Sequence, residues 1–206
     1  MFHKEILNDK QVELLPLVAA FKREYYLVGG TAIALYLGHR RSIDFDLFKY
    51  APLNRKKNLE KVESFEFPTL VTWNVTDQMN LVVNEVKVTF FQYPFQIKAN
   101  NDFAGVIRMP DLLDLAAMKA YALGRRSKWK DYVDLYFLLK ERFTIGQINQ
   151  RAVEIYGDLF SDKLFRSQLS YFEDVDYAEE VEYMVDCPPS DEEIRQSLIR
   201  VSTEIS

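Results

Sequence analysis

Apolar residues recur along this chain with two different periods, and the change of period divides it. Up to about residue 100 both periods are present. NDKQVELLPLVAAFKR carries apolar residues at helical spacing behind Asn8, a capping residue, with Pro16 inside the run. YYLVGG is a short apolar strand ending in two glycines, TAIALYL continues as a helix, and Gly38 is placed to stop it. SIDFDLF alternates as a strand, and APLNRKKNLEKVESF reads as a helix opened by Pro52. VTWNVTDQMNLVV and VKVTFFQY are β-rich runs joined by a hairpin turn at Asn84-Glu85. From Met109 onward the period is helical. MPDLLDLAAMKAYALG has Pro110 in its first turn, and SKWKDYVDLYFLLKER is capped by Ser127. TIGQINQRAVEIYG and SDEEIRQSLIRV each open with a capping box, Thr144 with Gln147 and Ser190 with Glu193. The expected fold is α/β, of the α+β kind. A mixed-sheet core over residues 1–100 is followed by a helical half over 101–206, packed on the core, with the break near 98–108.

Composition narrows the possibilities. Hydrophobic residues make up 48% of the 206, enough for a sizeable core. No apolar run reaches membrane-spanning length, and MFHKEILNDKQ lacks the apolar stretch of a signal peptide. The lone Cys187 forms neither an internal disulfide nor a cysteine zinc cluster. The expectation is a cytoplasmic protein with no membrane partner. With only His3 and His39, any metal would rest on oxygen ligands, which favours Mg²⁺ or Mn²⁺. Charge is unevenly spread. Residues 167–194 hold ten acids and no lysine or arginine, so a chain of net charge −5 is +5 elsewhere. Basic clusters stand at Arg40-Arg41, Arg55-Lys56-Lys57 and Arg125 to Lys130. They suit a polyanion, although charge runs are more often simply solvated faces.

The candidate chemistry lies in LVGGTAIALYLGHRRSIDFDLF, residues 27–48. A strand ending in Gly29-Gly30 lets a ligand approach the backbone, and the helix that follows offers free N–H groups and a positive dipole end to a phosphate. Thr31 either caps that helix or gives its hydroxyl to the ligand. On a strand, Asp44 and Asp46 point to one side, and a divalent cation relieves their repulsion. Taken alone, a glycine pair is more often a turn and an Asp-x-Asp more often a polar strand face. Lys119, inside the apolar LLDLAAMKAYAL, either snorkels to solvent or serves a site. Asp131 and Asp134 share a helix face, where Asp131 also suits the positive helix end.

The order strand, glycine pair, helix, strand, Asp-x-Asp resembles the signature of the polymerase-beta nucleotidyltransferase superfamily. Within it the chain is similar to the AbiEii-type nucleotidyltransferases, toxin components of bacterial toxin–antitoxin and phage-abortive systems. The likeness rests also on VKVTFFQYPF and DLLDLAAMKAYALGRRSKWKDYVDLYFLL, about a third of the chain in all. It implies that Gly29, Gly30 and Thr31 bind the triphosphate, with Ser42 in the hydroxyl position before the first acid. It implies Asp44 and Asp46 as metal ligands, Lys119 as the active-site lysine, and Asp131, with Asp134 beside it, as the later catalytic acid. The superfamily usually supplies a third carboxylate from a later strand, but here Thr89 holds that place. Asp131 or Asp134 is the candidate to complete the set, Glu85 a poor one in its turn.

The expected function is transfer of a nucleoside monophosphate from NTP, with Mg²⁺, to an acceptor hydroxyl. The resemblance implies RNA, tRNA in particular, as acceptor and a cognate antitoxin protein as partner. Acceptor phosphates are expected at Arg40, Arg41, Arg125, Arg126, Lys128 and Lys130, with Trp129 stacking on a base. Two alternatives stand beside this: a small-molecule or protein acceptor, and a catalytically impaired nucleotide-binding module. Segment 167–194 holds too many apolar side chains for a solvating tail. It is expected to fold onto the helical half near the basic face and modulate access of polyanions.

Overall fold

Local capping sets the first elements. In this computed structural model, which describes residues 2–123 and 125–204, Asn8 caps α1 (Asp9–Ala20), Gln11 completes a capping box, and Pro16 is accommodated inside the helix. β1 (Tyr26–Val28) runs straight into α2 (Gly29–Leu37), which Gly38 ends in the left-handed conformation at φ 69°. β2 (Phe45–Lys49) returns antiparallel to β1 with Val28 opposite Asp46. α3 (Arg55–Glu63) is opened by Asn54, whose side chain accepts from the Lys57 N–H, so Pro52 lies outside the helix it was expected to open.

The apolar run from Val71 to Val83 is two strands rather than one. It turns back at residues 75–77 between β3 (Thr69–Asn74) and β4 (Gln78–Val83), because the polar Thr76-Asp77 break outweighs the β-rich flanks. The Asn84-Glu85 hairpin forms as expected. Both residues have positive φ, 48° and 69°, and Val83 faces Val86 of β5 (Val86–Gln92). β5 lies parallel to β2, placing Thr89 beside Asp46. β6 (Asn101–Phe103) and β7 (Ile107–Met109) carry the sheet beyond residue 100, with β7 parallel to β1. The described residues thus form one seven-stranded mixed sheet, in the order β3-β4-β5-β2-β1-β7-β6.

The C-terminal portion is helical: α4 (Leu112–Leu123), α5 (Trp129–Glu141), α6 (Ile145–Tyr156), α7 (Asp162–Leu169) and α8 (Asp191–Ser202). Both expected capping boxes form. Pro110 precedes α4. α5 begins behind Lys128 without a side-chain cap, because the Ser127 hydroxyl turns to Asp174 instead. Among the described residues no helix is long and apolar enough to cross a membrane.

The two faces of the sheet differ, and this positions the site. Phe45, Leu47, Met79, Leu81, Val88 and Phe90 point to one face and are fully buried. The end of α1 and α3 cover that face: the rings of Phe21 and Tyr25 lie 4.7 and 5.3 Å from Phe90, and Asn58 donates to the Tyr25 hydroxyl. On the opposite face α2 and α4 stand over one side of the sheet, and the surface from β2 to β4 opens into a cleft beside them.

Candidate active site

At the β1–α2 corner each glycine answers to a particular neighbour. Gly29 has φ 74°, and a Cβ there would collide with Oδ2 of Asp46. A Cβ at Gly30 would lie 2.6 Å from Nη2 of Arg40 and 3.2 Å from the Ser42 hydroxyl. The pair is therefore required by the acids and by the following loop, and it leaves the start of α2 facing the cleft. The Thr31 hydroxyl is 2.9 Å from that of Ser42 and donates to the backbone carbonyl of Asp44. It is buried, so its side chain pins the loop ahead of β2 rather than facing a ligand or capping the helix.

Asp46 lines the cleft, and Asp44 lies just ahead of the strand; both are half-buried. Burial raises the Asp44 carboxyl above its usual range, and the Asp46 charge adds to this. Burial also raises Asp46, against the opposing pull of Arg126, the Thr89 hydroxyl, Lys87 and Lys119. Two half-buried acids so close are a donor set for a hard cation. No third His, Cys, Asp or Glu joins them among the described residues. Mg²⁺ commonly takes one or two carboxylates and completes its shell with water and substrate phosphate. The residues present fit one such ion delivered with a triphosphate, and they do not fit a second ion held by a further carboxylate.

Asp131 and Asp134 do not complete that set. Asp134 is fully buried, and cations use both its oxygens. Arg40 grips it with two bonds (Nε–Oδ1 2.7 Å, Nη2–Oδ2 2.9 Å), His39 Nε2 lies 2.8 Å from Oδ1, and Lys119 Nζ lies 2.9 Å from Oδ2. Asp131 takes Lys119 at 2.6 Å and Arg126 at 2.9 Å. Burial alone would raise both acids, but Arg40 and Lys119 hold Asp134 well below the carboxylate range, and Lys119 and Arg126 lower Asp131. Burial lowers His39, leaving a neutral ring whose Nε2–H donates to Asp134. This hub joins the α2–β2 loop to α4 and α5. Arg40, 2% exposed, belongs to the hub and is not at an acceptor surface. Lys119 does not snorkel: it is buried, and it lines the cleft from between the two acids.

The cleft holds about 500 Å³. Gly29, Asp46, Lys87, Lys119 and Arg126 give it a charged end, and Phe91, Tyr93, Phe95 and Tyr121 an aromatic one. Arg125 lies flat over Tyr121 at 3.5 Å from the ring centre. Gln78 and Asn80 of β4 add amides, joined to each other at 3.0 Å.

The description "Nucleotidyl transferase AbiEii toxin, Type IV TA system" belongs to a family model that matches residues 78–186, more than half of the chain. The chain belongs to the AbiEii family. It is accordingly a nucleotidyltransferase of toxin–antitoxin type, and membership implies an NTP substrate, typically a divalent metal, and an antitoxin counterpart. An uncharacterized protein of Aquifex aeolicus (strain VF5) is 29% identical over 176 residues, covering 82% of this chain and 84% of that protein. Among solved structures, MenT4, a nucleotidyltransferase toxin of Mycobacterium tuberculosis H37Rv, aligns with TM-score 0.64 at 15% identity. That alignment covers 94% of this chain and 82% of the other. A putative nucleotidyltransferase of H. pylori gives 0.57 at 16% identity, covering 94% and 92%. At these identities the structures speak for a shared fold.

The AbiEii chain covers part of its basic surface with one of its own segments. Residues 171–186 cross the helical half as a strap. The Arg41 N–H bonds to the Glu182 carbonyl, the Met184 N–H to that of His39, and the Trp129 N–H to that of Asp176. The Arg41 side chain meets Glu182 at 2.8 Å, and Glu179 takes both Lys128 and Lys130. These bonds lower the Glu179 carboxyl to about 2. Three of the expected acceptor cations are thus already matched by acids. Trp129 is only 4% exposed, packed among Tyr132, Phe172 and Tyr177, and has no free face for a base. The exposed tryptophan is Trp73. Sequence reading passed over it, over Lys87 and over the aromatic end of the cleft. The alternation of VKVTFF could have put Lys87 and Thr89 on one side, but the parallel register that sets them beside the acids was not readable.

Proposed function

We propose that this nucleotidyltransferase moves a nucleoside monophosphate from NTP to a terminal hydroxyl of RNA, with Asp44 and Asp46 as the residues that would hold Mg²⁺. The observation that carries the reading is the two-ended cleft, cationic beside the acids and aromatic away from them. The base would stack among Tyr93, Phe95 and Tyr121. The phosphates would meet the start of α2 at Gly29-Gly30, with Lys119 and Arg126 beside them. Asp131, held by both cations, positions them rather than meeting the metal. The acceptor oxygen bonds to the α-phosphorus as the bond to the β-phosphate oxygen breaks. Pyrophosphate leaves, and the hydroxyl proton passes to solvent. Mg²⁺, when bound, neutralises phosphate charge; the chain's own residues supply position and field.

The test is transfer of label from each α-labelled NTP, with Mg²⁺, into total RNA, beside Asp44→Ala/Asp46→Ala. Label in RNA only with the intact acids supports the reading. A second reading, a nucleotide-binding module without transfer, draws on Thr89 standing where a third acid would. It would be favoured by triphosphate binding with no label in RNA, protein or small acceptors, and any acid-dependent transfer removes it.

A further inference from the structure

One row of residues crosses the open face of the sheet from the acids to its edge. Val28 pairs with Asp46, Asp46 with Thr89, Thr89 with Asn80, and Asn80 with Trp73. Paired residues share a face, so all of these side chains stand on the cleft side. The neighbouring row runs from Lys87 through Val82 to Leu70. At about 4.8 Å per strand, Trp73 lies roughly 14 Å from Asp46. Trp73 is 54% exposed and Leu70 is 62% exposed, an unusual load of apolar surface for an edge strand.

We propose that this open face of β3, β4 and β5 seats the unpaired 3′ end of the RNA acceptor, with its bases on Trp73 and Leu70 and its backbone on Lys87. The proposal rests on the RNA reading above. Three observations commit the face to that occupant. It is continuous with the cleft, so a strand lying along it delivers its terminal hydroxyl to Asp44 and Asp46. Its charge suits phosphate: among the described residues Lys87 makes no ion pair, and its charge reaches both acids. The competing basic face is matched in part by Glu179 and Glu182, whereas Lys87 on this face is paired with no acid among the described residues. An exposed aromatic and a cation on one face are the recurring arrangement for single-stranded nucleic acid.

The chain has two tryptophans, and Trp129 is buried, so Trp73 reports directly on stacking. The experiment titrates the full chain with a short single-stranded RNA carrying a 3′ hydroxyl and reads tryptophan fluorescence, RNA anisotropy and, separately, triphosphate affinity. Expected are quenching of the wild type and a roughly tenfold weaker RNA affinity in Trp73→Ala with triphosphate affinity unchanged. Trp73→Phe should retain most of the affinity, and Lys87→Ala should flatten the logarithmic salt slope by about 0.7. Unquenched wild type, or full RNA affinity in Trp73→Ala, would overturn the proposal. So would light scattering showing that Trp73 is buried between two copies that RNA does not separate. A wild type that binds triphosphate but neither binds nor labels RNA removes the acceptor reading itself. Equal RNA labelling by wild type and Trp73→Ala, at limiting RNA, removes the platform alone.

Discussion

At the scale of single residues, Asp46 is where stability and chemistry conflict. Its carboxyl and that of Asp44 are raised by burial, so the folded chain favours their protonated forms. Stability from these groups is present below their unfolded pKa and is lost as pH rises through the raised folded values. Asp46→Asn should therefore raise the melting temperature at neutral pH, by on the order of 1 kcal/mol of stability, while transfer is lost. A scan with Mg²⁺ and NTP present should narrow the gap. Gly29→Ala tests the same corner sterically. The positive φ and the collision with Asp46 should cost at least about 1–2 kcal/mol, read by denaturant titration, and weaken triphosphate binding. The glycine pair and the Asp-x-Asp were legible because their meaning is local to one strand–helix–strand unit. The pairing of His39 and Arg40 with Asp134 was not, because bonds spanning 95 and 94 positions of chain leave no trace in spacing.

Among elements, caps and turns were the most readable features. Asn8, Thr144, Ser190 and the Asn84-Glu85 hairpin form as expected, because each satisfies backbone groups within a few residues of itself. Ser127 misled for the opposite reason: its hydroxyl finds Asp174 in the strap. The strap was foreseen as a folded acidic segment near the basic face, and its apolar side chains do pack against the core. Its ion pairs are partly exposed and each is worth little to stability, about 0–1 kcal/mol. Glu179→Gln with Glu182→Gln should thus barely move the melting temperature. Non-specific RNA binding should tighten and grow more salt-dependent, as Arg41, Lys128 and Lys130 become free to release counterions. A filter-binding series over salt concentration would show this, and unchanged slopes would mean that the strap does not fence that face.

For the molecule as a whole, the buried hub governs the response to acid. His39 is lowered, so its contribution is lost as pH falls below 6.5 toward its folded value. Asp131 and Asp134 are lowered too, and theirs is lost as pH falls below 3.8. The raised Asp44 and Asp46 act in the other direction, so stability should change modestly from pH 6.5 to 4 and collapse below that, a profile that urea titrations at stepped pH would trace. Asp134→Ala leaves Arg40 and Lys119 buried without their shared acid and should cost about 3–5 kcal/mol. The hub also sets an order of events during synthesis. His39 and Arg40 leave the ribosome well before Asp134, 95 and 94 positions later, and before the strap residues that close over them. A nascent chain therefore carries its glycine corner and both acids well before the hub that fixes the loop between them can form. The site is closed over only after the strap has been translated.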